Sequence, residues 1–315
     1  MKQVRFEAEH GALWDSIGAI VDGTDGSRRT ELPALYRRLC QTLALAEQRG
    51  YSPTLVAWLR QLVHRCHRLL YGSAAERPGT LLGWLRVDLP RRVRAEWRLL
   101  LLVLLAFWGT GLLVGLLVWD EPARAFLFRA PAQLDRMERM YQPGPMRLGR
   151  GDEGDVLMFG HYVWNNISIG FRTFAGGFFG GVPALASLVY NGIELGVVGA
   201  WLTMNDATRI PFWSFVITHA SVEITGLLLS ALAGIRLGLA LIAPGRLSRR
   251  DALQAMASHM FPVVAGAALF TLLAAFIEAF FSAHAAIPAG VKFGVGAACW
   301  LAVLLYFAFA GRKGG

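Results

Sequence analysis

The run LLLLVLLAFWGTGLLVGLLVW, from Leu99 to Trp119, decides the fold of this chain. It contains 21 residues without a charged side chain. As a helix rising 1.5 Å per residue it spans about 31 Å, which matches the hydrocarbon thickness of a bilayer. The whole sequence is 55% hydrophobic and only 17% charged, with three cysteines in 315 residues. These values exclude a disordered chain, a fibrous repeat and a disulfide-stapled secreted module, and they predict an integral membrane protein.

Five more apolar segments follow the first span, so we expect about six transmembrane helices. Their predicted ranges are 156–179, 182–204, 211–243, 259–281 and 290–310, with an outer loop at 120–155. The second span has the weakest pattern because the stretch HYVWNNISIGFR interrupts it. The fourth is too long for one straight crossing, so it should tilt, bend or extend past the bilayer.

Arginines predict the orientation of these spans. Five of them lie between residues 84 and 98, which predicts a cytoplasmic N-terminus. With six crossings, Arg246, Arg249, Arg250 and the C-terminal tail also fall on the cytoplasmic side. The net charge of +9 suits contact with the anionic headgroups of membrane lipids. We expect a cytoplasmic (inner) membrane location with both termini on the cytoplasmic side, and no nucleic-acid partner.

Residues 1–98 predict a cytoplasmic helical domain. Apolar side chains recur every three or four residues from Leu32 to Ala46 and again from Leu55 to Leu69, and no strand pattern competes. Trp84, Leu89 and neighbouring arginines form an interfacial segment that leads into the first span. The predicted fold is therefore all-α: a polytopic membrane domain, 99–315, preceded by this soluble domain.

Polar side chains inside the spans are costly, and their positions predict a cluster. Counted from the span ends, six of them lie roughly 12–18 Å deep, near the bilayer midplane. These six are Asn165, Asn166, Asn191, Glu194, His219 and Glu223. Such a slab is consistent with hydrogen-bonded glue between helices, with a site for protons, cations or lipid headgroups, or with catalysis.

Three further charged residues lie within the predicted spans, Arg172 and Arg236 in the inner halves of the second and fourth spans and Glu278 three residues from the outer end of the fifth. We expect Arg172 and Arg236 to extend towards cytoplasmic headgroups, and Glu278 to lie near the outer interface. If Glu278 instead packs inward, it adds a third carboxylate to the cluster. We expect no metal site and no cofactor, because the HxxxE pair of His219 and Glu223 offers two ligands where zinc needs about four. The three cysteines predict no disulfide.

Glycines recur at GxxxG spacing, as in Gly111–Gly115, Gly192–Gly196 and Gly234–Gly238. This spacing lets helices approach closely and favours, weakly, a homodimer. The run GGFFGG at 176–181 predicts a tight turn between the second and third spans.

Several of these motifs together resemble the stage II sporulation protein M family, in its longer, non-sporulation form. They are FGHYVWNNISIGFRTFAGGFFGG at 159–181, YNGIELG at 190–196, and THASVEITGLLLSALAGIRLGLALIAPG at 218–245. The resemblance implies a polytopic membrane protein with a cytoplasmic N-terminus. The family's namesake anchors peptidoglycan-degrading partners at the membrane and is not itself the hydrolase.

Two functions are consistent with the sequence. The first is a non-enzymatic membrane protein that organises or anchors cell-envelope or peptidoglycan-remodelling partners. The alternative is a proton- or cation-coupled transporter, or a lipid-handling permease, that uses the mid-membrane polar residues. An intramembrane hydrolase ranks last, because no nucleophile and base pair is visible in the sequence.

Overall fold

The computed structural model describes residues 3–22, 30–71, 83–142 and 154–312. These residues form helices and turns and contain no strand, which confirms the predicted all-α class. The chain divides into two compact units, Met1–Gly79 and Thr80–Gly315.

The first unit contains three helices: α1 (Gln3–Val21), α2 (Leu32–Gln48) and α3 (Pro53–Tyr71). Their facing sides form one apolar core that includes Phe6, Ile17, Leu39, Leu59 and Cys66. The apolar periodicity of α2 and α3 predicted both helices. It missed α1, in which the buried side chains are interleaved with alanines, glycines and charged residues.

The second unit begins, within the described residues, with a π-helical turn at Trp84–Asp88. Its helices are α4 (Leu89–Ala95), α5 (Trp97–Asp120), α6 (Pro131–Tyr141), α7 (Asp155–Gly177), α8 (Val182–Met204), α9 (Asp206–Ile242), α10 (Arg249–Ser282) and α11 (Ala289–Phe309). Among the described helices, α5, α8, α9, α10 and α11 are long and apolar enough to cross a membrane. The remaining predicted span forms α7, a helix of 23 residues that is less apolar because of its polar middle. The sixth crossing therefore stays a prediction.

Helix α9 lies at the centre of the second unit. It packs against α7, α8, α10 and α11. In its most apolar stretch of 18 residues 72% of the residues are buried, whereas the corresponding values are 22% for α5 and 11% for α11. Its 37 residues span about 55 Å, well beyond a hydrocarbon layer of about 30 Å. This length confirms that the fourth predicted span exceeds one straight crossing.

Residues 83–95 belong to the second unit, so the division falls between Gly79 and Thr80 and not after the predicted residue 98. The reason is packing: Leu89 and Val93 are buried in a core shared with α9 and α10. In addition, the Arg94 guanidinium donates hydrogen bonds of 2.7 Å to the carbonyl oxygens of Phe307 and Ala310 at the end of α11. The segment predicted to be interfacial is thus hydrogen-bonded to the end of α11.

The glycine pairs pack against one another within the chain. A Cβ atom on Gly111 would lie 3.0 Å from the carbonyl oxygen of Gly192, and one on Gly115 would lie 3.5 Å from that of Gly196. These two GxxxG faces therefore join α5 to α8. Because the close approach is intramolecular, a dimer of this chain would need another surface.

The predicted GGFFGG turn is confirmed between α7 and α8. Helix α7 ends at Gly177 and α8 begins at Val182. Gly180 and Gly181 have φ values of 71° and 82°, which side chains with a Cβ atom rarely adopt. This turn places α7 and α8 side by side, and both border the site.

Candidate functional site

A cavity of about 310 Å³ lies inside the second unit, and we name it the central cavity. Its walls come mainly from α7, α8, α9 and α10, with Phe107 of α5 and Tyr141 of α6 completing the lining. Most of the wall is apolar. The polar and ionisable lining residues are Tyr141, Asn166, Asn191, His219, Glu223, Thr271 and Glu278.

His219 and Glu223 lie one turn apart on α9 and face the central cavity together, as their i, i+4 spacing predicted. The imidazole is almost fully buried, at 4% exposed. Its Nδ1 atom lies 3.0 Å from the Ser282 Oγ atom, within hydrogen-bond distance. Its Nε2 atom lies 3.7 Å from the nearer carboxylate oxygen of Glu223, beyond normal hydrogen-bond length.

Glu278 reaches the central cavity from α10. It opens the π-helical turn Glu278–Ser282, which ends that helix. Turns of this kind are found frequently at functional sites. The Asn166 side-chain amide of α7 donates a hydrogen bond of 3.4 Å to the Glu278 Oε2 atom. Glu278 therefore packs inward. The first expectation placed it near the outer interface, and the structure instead adds it to the cluster as a third carboxylate.

Three ionisable groups meet at this point. Ligand atoms of His219, Glu223 and Glu278 all lie within 4.8 Å of one another. Two carboxylates and one imidazole in such proximity are able to bind a cation or to exchange protons. The sequence analysis placed His219 and Glu223 in the cluster and Glu278 there only if it packs inward, because Glu278 lies 55 residues beyond Glu223 on another helix.

Asn191 and Tyr141 complete the polar lining. The Asn191 side-chain amide donates a 2.8 Å hydrogen bond to the Ser187 carbonyl oxygen. Tyr141, at the end of α6, packs its ring edge-on against Phe212 and Phe215. Burial, with a smaller effect of Glu278, raises the pKa of the Tyr141 phenol well above its usual range, so it stays protonated. No pattern in the sequence indicated that Tyr141 lines the cavity.

Two members of the predicted cluster lie outside the central cavity. Asn165 is exposed, and its amide donates a 3.0 Å hydrogen bond to the Asn166 Oδ1 atom. Glu194 forms an ion pair with Arg129, a residue that precedes α6, and each of these side chains is 21% exposed. The structure thus brings together Asn166, Asn191, His219 and Glu223, and leaves the other two elsewhere.

The two arginines singled out in the sequence do not line the central cavity. The Arg172 Nε atom donates to the Ser168 carbonyl oxygen at 3.1 Å, on the exposed face of α7. The Arg236 Nε atom donates to the Glu96 Oε1 atom at 2.6 Å, which ties α9 to the residue between α4 and α5. Arg172 therefore bonds within its own helix, and Arg236 contributes to the packing of α9 against the segment before α5.

Ser282 is another residue that sequence reasoning missed. Besides contacting His219, its Oγ atom lies 2.5 Å from Thr218 Oγ1 and 3.1 Å from the Ile277 carbonyl oxygen, and the residue is fully buried. It does not line the central cavity. A hydroxyl in this position orients the imidazole and has no path to a substrate. Its separation of 63 residues from His219 left no local sequence signal.

Comparison with protein-family models gives two matches along the chain. The model described as "Stage II sporulation protein M" matches residues 100–283, more than half of the chain. The chain belongs to the stage II sporulation protein M family. The matched residues of this family member run from α5 to the end of α10, and they include the cavity-lining residues of α7–α10.

A second model, described as a domain of unknown function (DUF8413), matches residues 4–72 of this stage II sporulation protein M family member. That range coincides with α1–α3 of the first unit. No curated protein and no solved structure matched the chain. The family match thus covers most of the second unit, including the helices that line the cavity.

Proposed function

We propose that this membrane protein binds a small cation in the central cavity and carries it, or protons exchanged for it, across the bilayer. One observation supports this proposal most: two carboxylates and a buried imidazole converge on a cavity of about 310 Å³ instead of on packed side chains. Polar residues that serve only as helix glue bond to one another and leave little space between them. Here the space is large enough for an ion with several waters.

The surroundings also fit a cation better than an anion. Among the described residues, the lining of the cavity includes no arginine and no lysine, and Arg129 and Arg236 pair with Glu194 and Glu96 outside it. The lining itself offers carboxylate, amide and phenol oxygens, which are ligands for positive charge. The proposed role is non-enzymatic, and Ser282 serves in it as a positioning residue for His219.

The test is transport by the full chain in proteoliposomes. Currents on a solid-supported membrane are recorded after jumps of proton, sodium, potassium, magnesium, manganese or zinc concentration. We expect one cation to evoke a current that Glu223→Gln and Glu278→Gln each abolish, because an amide keeps the size of the side chain but removes the charge. Glu194→Gln is the matched control, since it removes a largely buried carboxylate, 21% exposed, outside the cavity.

The proposal fails if no cation evokes a current, or if Glu194→Gln abolishes the current as completely as the two cavity variants do. In the second case the loss of any buried carboxylate would be enough to abolish the current, and the current would not report on a site in the cavity.

A second candidate function is the organisation of cell-envelope partners, and the two-unit structure favours it. The first unit has its own core, and it matches a family model separate from that of the membrane unit. Deletion of residues 1–79 tests this candidate in cells that depend on the protein. An organiser loses its function on this deletion and tolerates Glu223→Gln, whereas a cation carrier shows the reverse.

A further inference from the structure

The geometry of three side chains in the central cavity suits one ion. Atoms at most 4.8 Å apart lie within about 2.8 Å of a common centre, against roughly 2.0–2.2 Å for nitrogen and oxygen ligands bonded to zinc. Closing that difference takes a movement of under about 1 Å per ligand atom. Side-chain rotation of Glu223 and Glu278 is able to supply this movement, because each carboxylate lies at the end of a side chain with several rotatable bonds.

The imidazole is held in the orientation that a metal needs. When the Ser282 hydroxyl donates to the Ile277 carbonyl oxygen, it accepts from His219, which places the ring proton on Nδ1. The Nε2 atom then carries a lone pair, faces the Glu223 carboxylate at 3.7 Å, and has no hydrogen bond of normal length. A metal-binding histidine is oriented in the same way, through a hydrogen bond from its other nitrogen.

The Ser282 residue is fixed in turn by a buried lysine. Lys292 of α11 is 1% exposed, and its ammonium donates a 2.7 Å hydrogen bond to the Ser282 carbonyl oxygen. On the opposite side, the Asn166 amide donates to Glu278 and restrains that carboxylate. Two of the three ligand side chains therefore have supporting hydrogen-bond partners on other helices. The ligands of metal sites are usually oriented by such partners.

The ligand set selects the class of ion. One imidazole nitrogen and two carboxylates suit divalent first-row transition metals such as zinc and manganese. Magnesium and calcium prefer oxygen ligands alone. The two carboxylates also neutralise a charge of +2, so the loaded site places no net charge from these groups inside the membrane unit.

We infer that the central cavity binds a divalent transition-metal ion through the Nε2 atom of His219 and the carboxylates of Glu223 and Glu278. This inference rests on the proposed function and names its cargo. Asn191 and Tyr141 also line the cavity.

Metal binding by the full chain in lipid nanodiscs tests the inference. After chelator treatment, zinc and manganese are titrated by calorimetry, with magnesium and calcium as comparison ions. His64 and His67 of the first unit are replaced by glutamine throughout, so that they do not compete. We expect one site per chain, and an affinity lowered about 100-fold or more by His219→Gln, Glu223→Gln or Glu278→Gln, each of which removes a ligand.

Two matched controls keep their affinity: Glu194→Gln, a carboxylate outside the cavity, and His161→Gln, an exposed imidazole on α7. Because a cavity variant that fails to fold would mimic a lost site, X-ray absorption on the zinc-loaded protein with all three ligands intact gives a second reading. It should show nitrogen and oxygen neighbours only, with the scattering of one imidazole.

The inference is overturned if neither metal binds, if all three cavity variants bind as tightly as the parent protein, or if sulfur appears among the neighbours. If a proton or monovalent-cation current depends on Glu223 but no divalent metal binds, the inference is wrong and the proposed function is retained. Absence of both binding and current would overturn both.

Discussion

The ion pair between Arg129 and Glu194 fastens the segment before α6 to α8, and its energy follows from its burial. Each side chain is 21% exposed. Exposed pairs contribute about 0.2–1 kcal/mol, whereas removal of one partner from a fully buried pair costs about 3–5 kcal/mol. At this partial burial we expect Arg129→Gln or Glu194→Gln to lower the free energy of unfolding by about 2 kcal/mol each. The coupling energy in a double-mutant cycle should be about 1–2 kcal/mol.

The assay is equilibrium unfolding of the parent, both single variants and the double variant in one detergent, followed by circular dichroism. The exposed pair Arg209–Asp206, with side chains 48% and 88% exposed, is the matched control. Its coupling energy should be below about 0.5 kcal/mol. A coupling energy for Arg129–Glu194 no larger than that of the control would refute the reasoning, because the pair would then behave as a surface contact.

Two further predictions concern packing and thiol reactivity. Gly192→Ala should lower the free energy of unfolding by about 1–3 kcal/mol, because its Cβ atom would meet the Phe107 carbonyl oxygen, whereas Gly160→Ala, with open space, should be tolerated; equal effects on unfolding would contradict the close contact. Burial, and secondarily Cys40, raises the pKa of Cys66 to about 11. At pH 8 iodoacetamide should therefore modify Cys40 well before Cys66, as followed by mass spectrometry, and equal rates in the folded protein would count against the packed core.

Much of the fold could be predicted from local patterns. Apolar runs of bilayer length identified α5, α8, α9, α10 and α11, because crossing a membrane imposes both length and composition. Helix α1 was missed, since its core side chains are widely spaced among small and polar residues. The placement of residues 83–95 was also missed, because bonds from Arg94 to the end of α11 join parts of the chain more than 200 residues apart.

The site was predictable where polar residues lie at similar depth in the predicted spans, as Asn166 does, or share a helix face. The i, i+4 spacing correctly placed His219 beside Glu223. The i, i+3 spacing of Asn191 and Glu194 did not bring both into the cavity, because Arg129, from a segment far away in sequence, pairs with Glu194. No local pattern reveals such a partner.

Glu278 illustrates the other limit. Counting residues from the span end placed it near the interface, whereas the π-helical turn that it opens places it among the lining residues of the cavity. Predictions from sequence periodicity assume regular α-helices, so they do not detect a change from α-helix to π-helix.

The central claim is that His219, Glu223 and Glu278 share one cavity inside the membrane unit and bind a single ion there. The most direct measurement is a cryo-EM map of the full chain in lipid nanodiscs with zinc, paired with a map after chelation. The account predicts a density peak between the three side chains that the chelator removes, with His219 still contacting Ser282 in both maps. A cavity filled by apolar side chains, or Glu278 directed towards lipid in both maps, would contradict it.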